Sequence, residues 1–166
     1  MSGARGAETA TGTLVVGLGN PIRGDDGVGW RVVEAVRREV EDVGAGVDCL
    51  AVGGLALMER LVGTRRAILV DAVTTGHDPA GTVHSGRLSD IAVRAAGHLD
   101  SAHDVTLPAA LDVARALGAE VPADDEIRVV TVEVEASDAF ADGLSAPVAA
   151  AVPVAAGRVR HLLALP

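Results

Sequence analysis

A chain of 166 residues, 49% hydrophobic and 22% charged, is long enough to bury the core of one compact domain and too short for two ordinary ones. Its formal charge of −9, with one Trp, one Phe and no Tyr, argues against a nucleic-acid partner, which needs basic groups for phosphates and rings on which bases stack. The single cysteine, Cys49, excludes an internal disulfide and a CxxC metal or redox site, and with no apolar leader or membrane-length run the expectation is a cytoplasmic protein with no membrane partner.

Residues 1–12 open with small and polar side chains and read as a frayed terminus, leaving 13–166 as a single domain. Thr13 to Leu18 is apolar throughout, the pattern of a central strand covered on both faces. A glycine-rich turn ends in Asp25 and Asp26, and Val28, Val32, Val36, Val40 and Val43 then recur at helical spacing until Gly44, with Arg31, Arg37, Arg38 and Glu41 facing out. Val47 to Val52 predicts a second strand closing at Gly53-Gly54, and Leu55 to Val62 a brief helix. Arg66 to Asp71 predicts a buried third strand that meets a carboxylate at its end.

Thr82 to Leu88 alternates as an antiparallel edge strand does, and Ser89 is placed to cap a helix running to Ala96. Val105, Leu107, Ala110, Leu111, Ala114 and Leu117 form a helical stripe, with Pro108 tolerable only in its first turn and His103 just ahead of it. Ile127 to Val132 is the last strand, ending at Glu133. Ser145 is a candidate cap for a final helix with Pro147 in the first turn and Val148, Val152, Val159 and Leu163 along one face; Pro153 predicts a kink or break. About five strands alternating with helices, built from Val, Leu, Ile and Ala, point to an α/β class.

The loop from Gly17 to Gly29 carries most of the chemistry. A glycine loop between strand and helix suggests a phosphate cradle, but the dinucleotide fingerprint needs glycine where Ile22 stands, and the P-loop needs Lys-Ser/Thr where Asp25 and Asp26 stand. Two carboxylates suit a cation instead, at the carboxyl end of a strand where open α/β sheets place ligands. The simpler reading, Asp25 as a helix cap and Asp26 as a first-turn acid, competes with this one. Asp71 at a second strand end and His103 before a helix complete a three-ligand set suited to nickel or zinc. His77, His84, His98 and His161 read as surface or cap residues, and Cys49 as a small core residue. Ser101 lies near His103 without a GxSxG elbow, which argues against a serine triad.

Gly17-Leu18-Gly19-Asn20, then Asp25-Asp26-Gly27-Val28-Gly29, then Val70-Asp71-Ala72 and Ser101-Ala102-His103 resemble the hydrogenase maturation protease family, the endopeptidases that trim the large subunit of NiFe hydrogenases. Thr131 to Glu135, Gly143-Leu144-Ser145 and the run from Val148 to Pro153 are similar to that family as well, so the resemblance spans about residues 13 to 160. It implies a twisted, mainly parallel sheet with helices on both faces, in a phosphorylase/hydrolase-like arrangement. It implies nickel ligands at Asp26, Asp71 and His103, which are also the expected catalytic residues, and nickel carried by the substrate rather than held as a permanent cofactor. The implied partner is a NiFe hydrogenase large-subunit precursor. For metal-assisted hydrolysis, Asn20 with the loop amides of Gly19 and Gly27 is expected to position the substrate backbone, and Asp25 is expected at the substrate-binding loop as a supporting or capping residue. The family often has Gly-Gly-Thr before the short helix, where this chain has Gly53-Gly54-Leu55.

Two other readings compete. A non-catalytic maturation partner that senses nickel loading needs the same ligands, and release of a C-terminal peptide separates it from a protease. Val16 to Pro21 is also similar to the opening of peptidyl-tRNA hydrolases, but the chain has no Tyr, no His-Asn pair and the wrong charge for RNA.

Overall fold

The computed structural model describes residues 12–51, 53–91, 106–137 and 140–166. Five strands form one sheet in the order β2-β1-β3-β5-β4: β1 (Thr13–Leu18), β2 (Gly46–Leu50), β3 (Arg66–Val73), β4 (Val83–Arg87) and β5 (Ile127–Glu133). All neighbouring pairs are parallel except β4 with β5, so the alternating segment before Leu88 is the antiparallel edge its pattern suggests. The helices are α1 (Val28–Asp42), α2 (Gly54–Leu61), α3 (Leu88–Ile91), α4 (Leu107–Ala116) and α5 (Ala146–Ala164). Among the described residues no helix is long and apolar enough to cross a membrane.

Side-chain alternation along the central strands divides the core in two. Val15, Ile68, Val70, Val130 and Val132 pack under α1 and α5, while Val16, Leu69, Ile127 and Val129 pack under α2 and α4. Both faces are covered, which is why β1, β3 and β5 read as unbroken apolar runs.

Several element ends differ from the sequence expectation. Strand β2 stops at Leu50, and β3 runs two residues past Asp71 because Ala72 and Val73 are also buried. Val43 and Leu117, the last members of their helical stripes, are 68% and 82% exposed because each helix has ended before the residue is carried back over the sheet. Helix α3 begins at Leu88, so Ser89 lies inside it rather than capping it; residues 92–96 lie outside the described residues. Pro108 does fall in the first turn of α4, whose cap, Thr106, accepts from Ala109 N–H at 3.5 Å.

Pro153 does not break the last helix: α5 is one element through Ala164. The proline and Ala149, whose carbonyl loses its helical donor, are both exposed, so water can satisfy that carbonyl. The buried face of α5 is Val148, Ala151, Ala155, Ala156, Val159 and Leu162; Val152 and Leu163 border it. The small alanines let this helix lie close against α1.

Candidate functional site

The parallel strands all end at one edge, and three of their loops build a cleft of about 380 Å³ there. Its first wall is the glycine loop. Gly24–Gly27 forms a single 3-10 turn before α1, held by close backbone packing on both sides. Gly19, at φ +113°, leaves no room for a side chain against the Asp26 backbone, and a methyl on Gly27 would meet Pro21 Cα at 2.7 Å. Gly17 and Gly29 face each other, since a Cβ on Gly17 would lie 2.6 Å from the Gly29 carbonyl oxygen. Glycine is required here because the start of α1 rests directly on the ends of β1 and β3.

Within this loop the two adjacent acids have separate tasks. Asp26 is partly buried, and its Oδ2 accepts from Asn20 N–H at 2.8 Å, closing the loop on itself. Asn20 Oδ1 accepts from Ile22 N–H at 3.1 Å. Asp25 does not cap its own helix, which follows Gly27. Its carboxylate accepts from Ser145 N–H at 2.6 Å and Ser145 Oγ–H at 2.7 Å, so it ties the glycine loop to the first turn of α5. Ser145 is the N-cap residue of α5 by position, yet its hydroxyl serves Asp25 rather than that helix's own amides.

The second wall is residues 140–145, joined to the first by Gly24 N–H donating to the Ala141 carbonyl at 3.1 Å and by a parallel bridge between Arg23 and Ala141. The third comes from the ends of β3 and β5, with Thr74, Glu135 and Ser137. Beneath it Glu133, 2% exposed, accepts from Thr75 N–H, Gly76 N–H and Thr75 Oγ–H at 2.7, 2.8 and 2.8 Å. A buried carboxylate with three donors is well satisfied, and here it fixes the turn after β3. Among the described residues, the cleft is lined by the carboxylates of Asp25, Asp26, Glu135 and Asp142 and by one guanidinium, Arg23, a balance that favours cations.

Asp71 sits apart from these walls. It is fully buried on β3, one residue past the pairing of Val70 with Gly17. Because Leu69 and Val73 belong to the α2/α4 side of the core, alternation turns Asp71 to that side, from which α4 is entered. Helices α2 and α4 end together, with Gly63 N–H donating to the Glu120 carbonyl at 2.8 Å, so the start of α4 stands at the same carboxyl edge as Asp71. His103, Ser101 and His98 lie outside the described residues. Among the described residues no group of three or more His, Cys, Asp or Glu side chains is arranged to hold a metal ion.

Cys49 packs partly against the core, and burial pushes its thiol above the ordinary value of 9.0. It stays protonated and unreactive near neutrality, in keeping with a packing residue. His84 pairs with Asp78 at 2.9 Å on the exposed edge strand, a surface pairing as expected. Arg23, Thr74, Glu135 and Asp142 escaped the sequence reading as site residues. The alternation of Glu133, Val134 and Glu135 past the end of a buried strand was the one available signal.

Fold and site together define a single-domain α/β protein whose ligand cleft is built from carboxyl-edge loops and lined mainly by acids. The chain matches no protein-family model and no curated protein. Solved structures do resemble it. A hydrogenase maturating endopeptidase from E. coli (HybD) aligns at 23% identity over 92% of both chains with a TM-score of 0.68. A hydrogenase 2 maturation peptidase from a Thaumarchaeota archaeon aligns at 26% identity over 94% of this chain and all of that one, TM-score 0.64. A [NiFe] hydrogenase maturation protease from Thermococcus kodakarensis (HycI) aligns at 16% identity over 91% of both, TM-score 0.65. The chain shares the fold of these maturation proteases, and its Gly-x-Gly-Asn and Asp-Asp-Gly-x-Gly loop stands at the carboxyl edge of that fold.

Proposed function

We propose that the chain is an endopeptidase that removes the C-terminal extension of a NiFe hydrogenase large-subunit precursor and recognises the nickel that the precursor already carries. The observation that carries this reading is the acid-lined cleft at the carboxyl edge, where Asp26 stands on a loop locked by glycine packing; Asp71 is buried near the carboxyl end of the neighbouring strand β3, outside the cleft lining. In this reading Asp26, Asp71 and His103 bind the substrate's nickel, and the glycine-loop residues Gly19, Asn20 and Gly27 align the peptide backbone. Nickel bound by two carboxylates and an imidazole supplies Lewis acidity toward the scissile carbonyl or an adjacent water. The metal arrives and leaves with the precursor, so the resting protein holds none.

To test this, Asp26→Ala, Asp71→Ala and His103→Ala are made singly and incubated with nickel-loaded precursor, and products are followed by mass. The expected result is nickel-dependent loss of the C-terminal peptide with the parent protein and at least a hundredfold slower release with each variant. Full processing by all three variants defeats the assignment. Tight binding of the loaded precursor without any peptide release would favour the non-catalytic sensor instead.

A further inference from the structure

At the mouth of the cleft the surface changes character. Ile22 is 61% exposed and Phe140, the chain's one phenylalanine, is 79% exposed. Each stands one residue before a position of the parallel bridge between Arg23 and Ala141, so the two lie at the same end of that pairing. The segments that carry them are tied to each other by the Gly24 to Ala141 hydrogen bond and by Asp25 on Ser145, and Ile22 N–H donates to Asn20 Oδ1. Other exposed large apolar residues, such as Val62, Val113 and Val154, fall on separate helices or their ends, as scattered surface residues commonly do.

Two large apolar side chains on a tied framework, next to a polar cleft, have the form of an interface anchor. Among the described residues, the cleft beside them sets four carboxylates against one guanidinium. A second copy of this chain, with net charge −9, is a poor occupant for such a surface, and an extended peptide carrying positive charge is a good one. We propose that Ile22 and Phe140 form an apolar subsite that grips one large apolar side chain of the precursor's extended C-terminal segment, with positive charge on that segment directed into the cleft. This rests on the protease reading above and adds to it a determinant of which precursor is accepted.

The subsite acts in binding, before and during the reaction alike, so its loss falls on KM rather than kcat. Ile22→Ser, Phe140→Ser and the double variant are compared with Phe140→Leu, which keeps an apolar group, and with Glu135→Gln/Asp142→Asn. Binding of purified nickel-loaded precursor is measured at low and high salt, processing is followed by mass, and light scattering gives the oligomeric state. The expected result is binding weakened at least tenfold by the double serine variant with a matching rise in KM. Phe140→Leu recovers most of it, and the amide variant loses the salt sensitivity of the parent protein.

Unchanged binding and KM in the double serine variant overturn the subsite. So does a parent dimer that the serine changes dissolve, because the occupant is then a second copy. Phe140-dependent binding with no shortening of the precursor keeps the subsite and defeats the protease reading. Normal shortening by the serine variants at unchanged KM does the reverse, and a precursor neither bound nor shortened defeats both.

Discussion

Asp25 and Asp26 are adjacent and chemically identical, yet their surroundings separate them. Asp26 accepts from Asn20 within its own loop, whereas Asp25 receives both donors of Ser145, a residue 120 positions away. The local pattern suggested a cap at Asp25, and it is a cap, but for the other end of the chain. No spacing rule reveals such a partner, because the contact exists only once α5 has docked. Glu133 is similar: its position at a strand end was legible, its three donors from Thr75 and Gly76 were not. Replacing Asp25 or Ser145 with alanine is expected to cost about 1–2 kcal/mol, the usual effect of losing a helix-terminal cap or a charge-assisted hydrogen bond. The shift in urea midpoint measures it. Asp25→Asn is expected to cost less, since its amide oxygen still accepts from Ser145 N–H and the serine hydroxyl can turn to accept from the amide nitrogen.

Among the elements, β1, β3 and β5 were readable because strands buried on both faces have few polar positions to obscure the pattern. Helix ends were less so: Val43 and Leu117 keep the spacing of their stripes but not the burial. Pro153 shows that a helix can continue through a proline when the carbonyl it frees, here that of Ala149, stays open to water. Glycines divide into two kinds with opposite expected outcomes. At Gly29 a methyl would press on the Leu18 and Val70 carbonyl oxygens, so Gly29→Ala is expected to destabilise by about 2–4 kcal/mol or prevent folding, as overpacking against backbone does. At Gly157, within α5, a methyl meets nothing within 4 Å, and Gly157→Ala is expected to stabilise by about 0.5–1 kcal/mol. Thermal unfolding of the pair checks both signs.

For the molecule as a whole, the order of strands and helices in the sequence pointed to an α/β class with an antiparallel edge strand, and the family resemblance supplied the mainly parallel sheet with helices on both faces. The cleft was legible only in part, because its walls come from segments far apart in the chain and residues such as Asp142 lie in stretches with no regular pattern. Helices α1 and α5 are also tied across the surface by Arg160, whose guanidinium donates to Glu39 at 2.6 and 3.2 Å. That hydrogen bond holds the Glu39 carboxyl below its ordinary value of 4.5. A lowered carboxylate pKa contributes stability that is present above 4.5 and lost as pH falls through the lower, folded value. Unfolding midpoints of the parent protein and Arg160→Ala are therefore expected to differ slightly at pH 7 and to converge as pH falls below the folded value; a gap that persists in acid would assign the contact to packing. The pair is exposed, so the difference is small.

The clasp between Asp25 and Ser145 has one further consequence. One side of the cleft lies near the beginning of the domain and the other at the threshold of its last helix, so neither segment in isolation carries a binding surface. Recognition is thus coupled to the docking of α5, and a molecule in which that helix has peeled away retains every acid of the cleft while losing the geometry that gives them a common purpose.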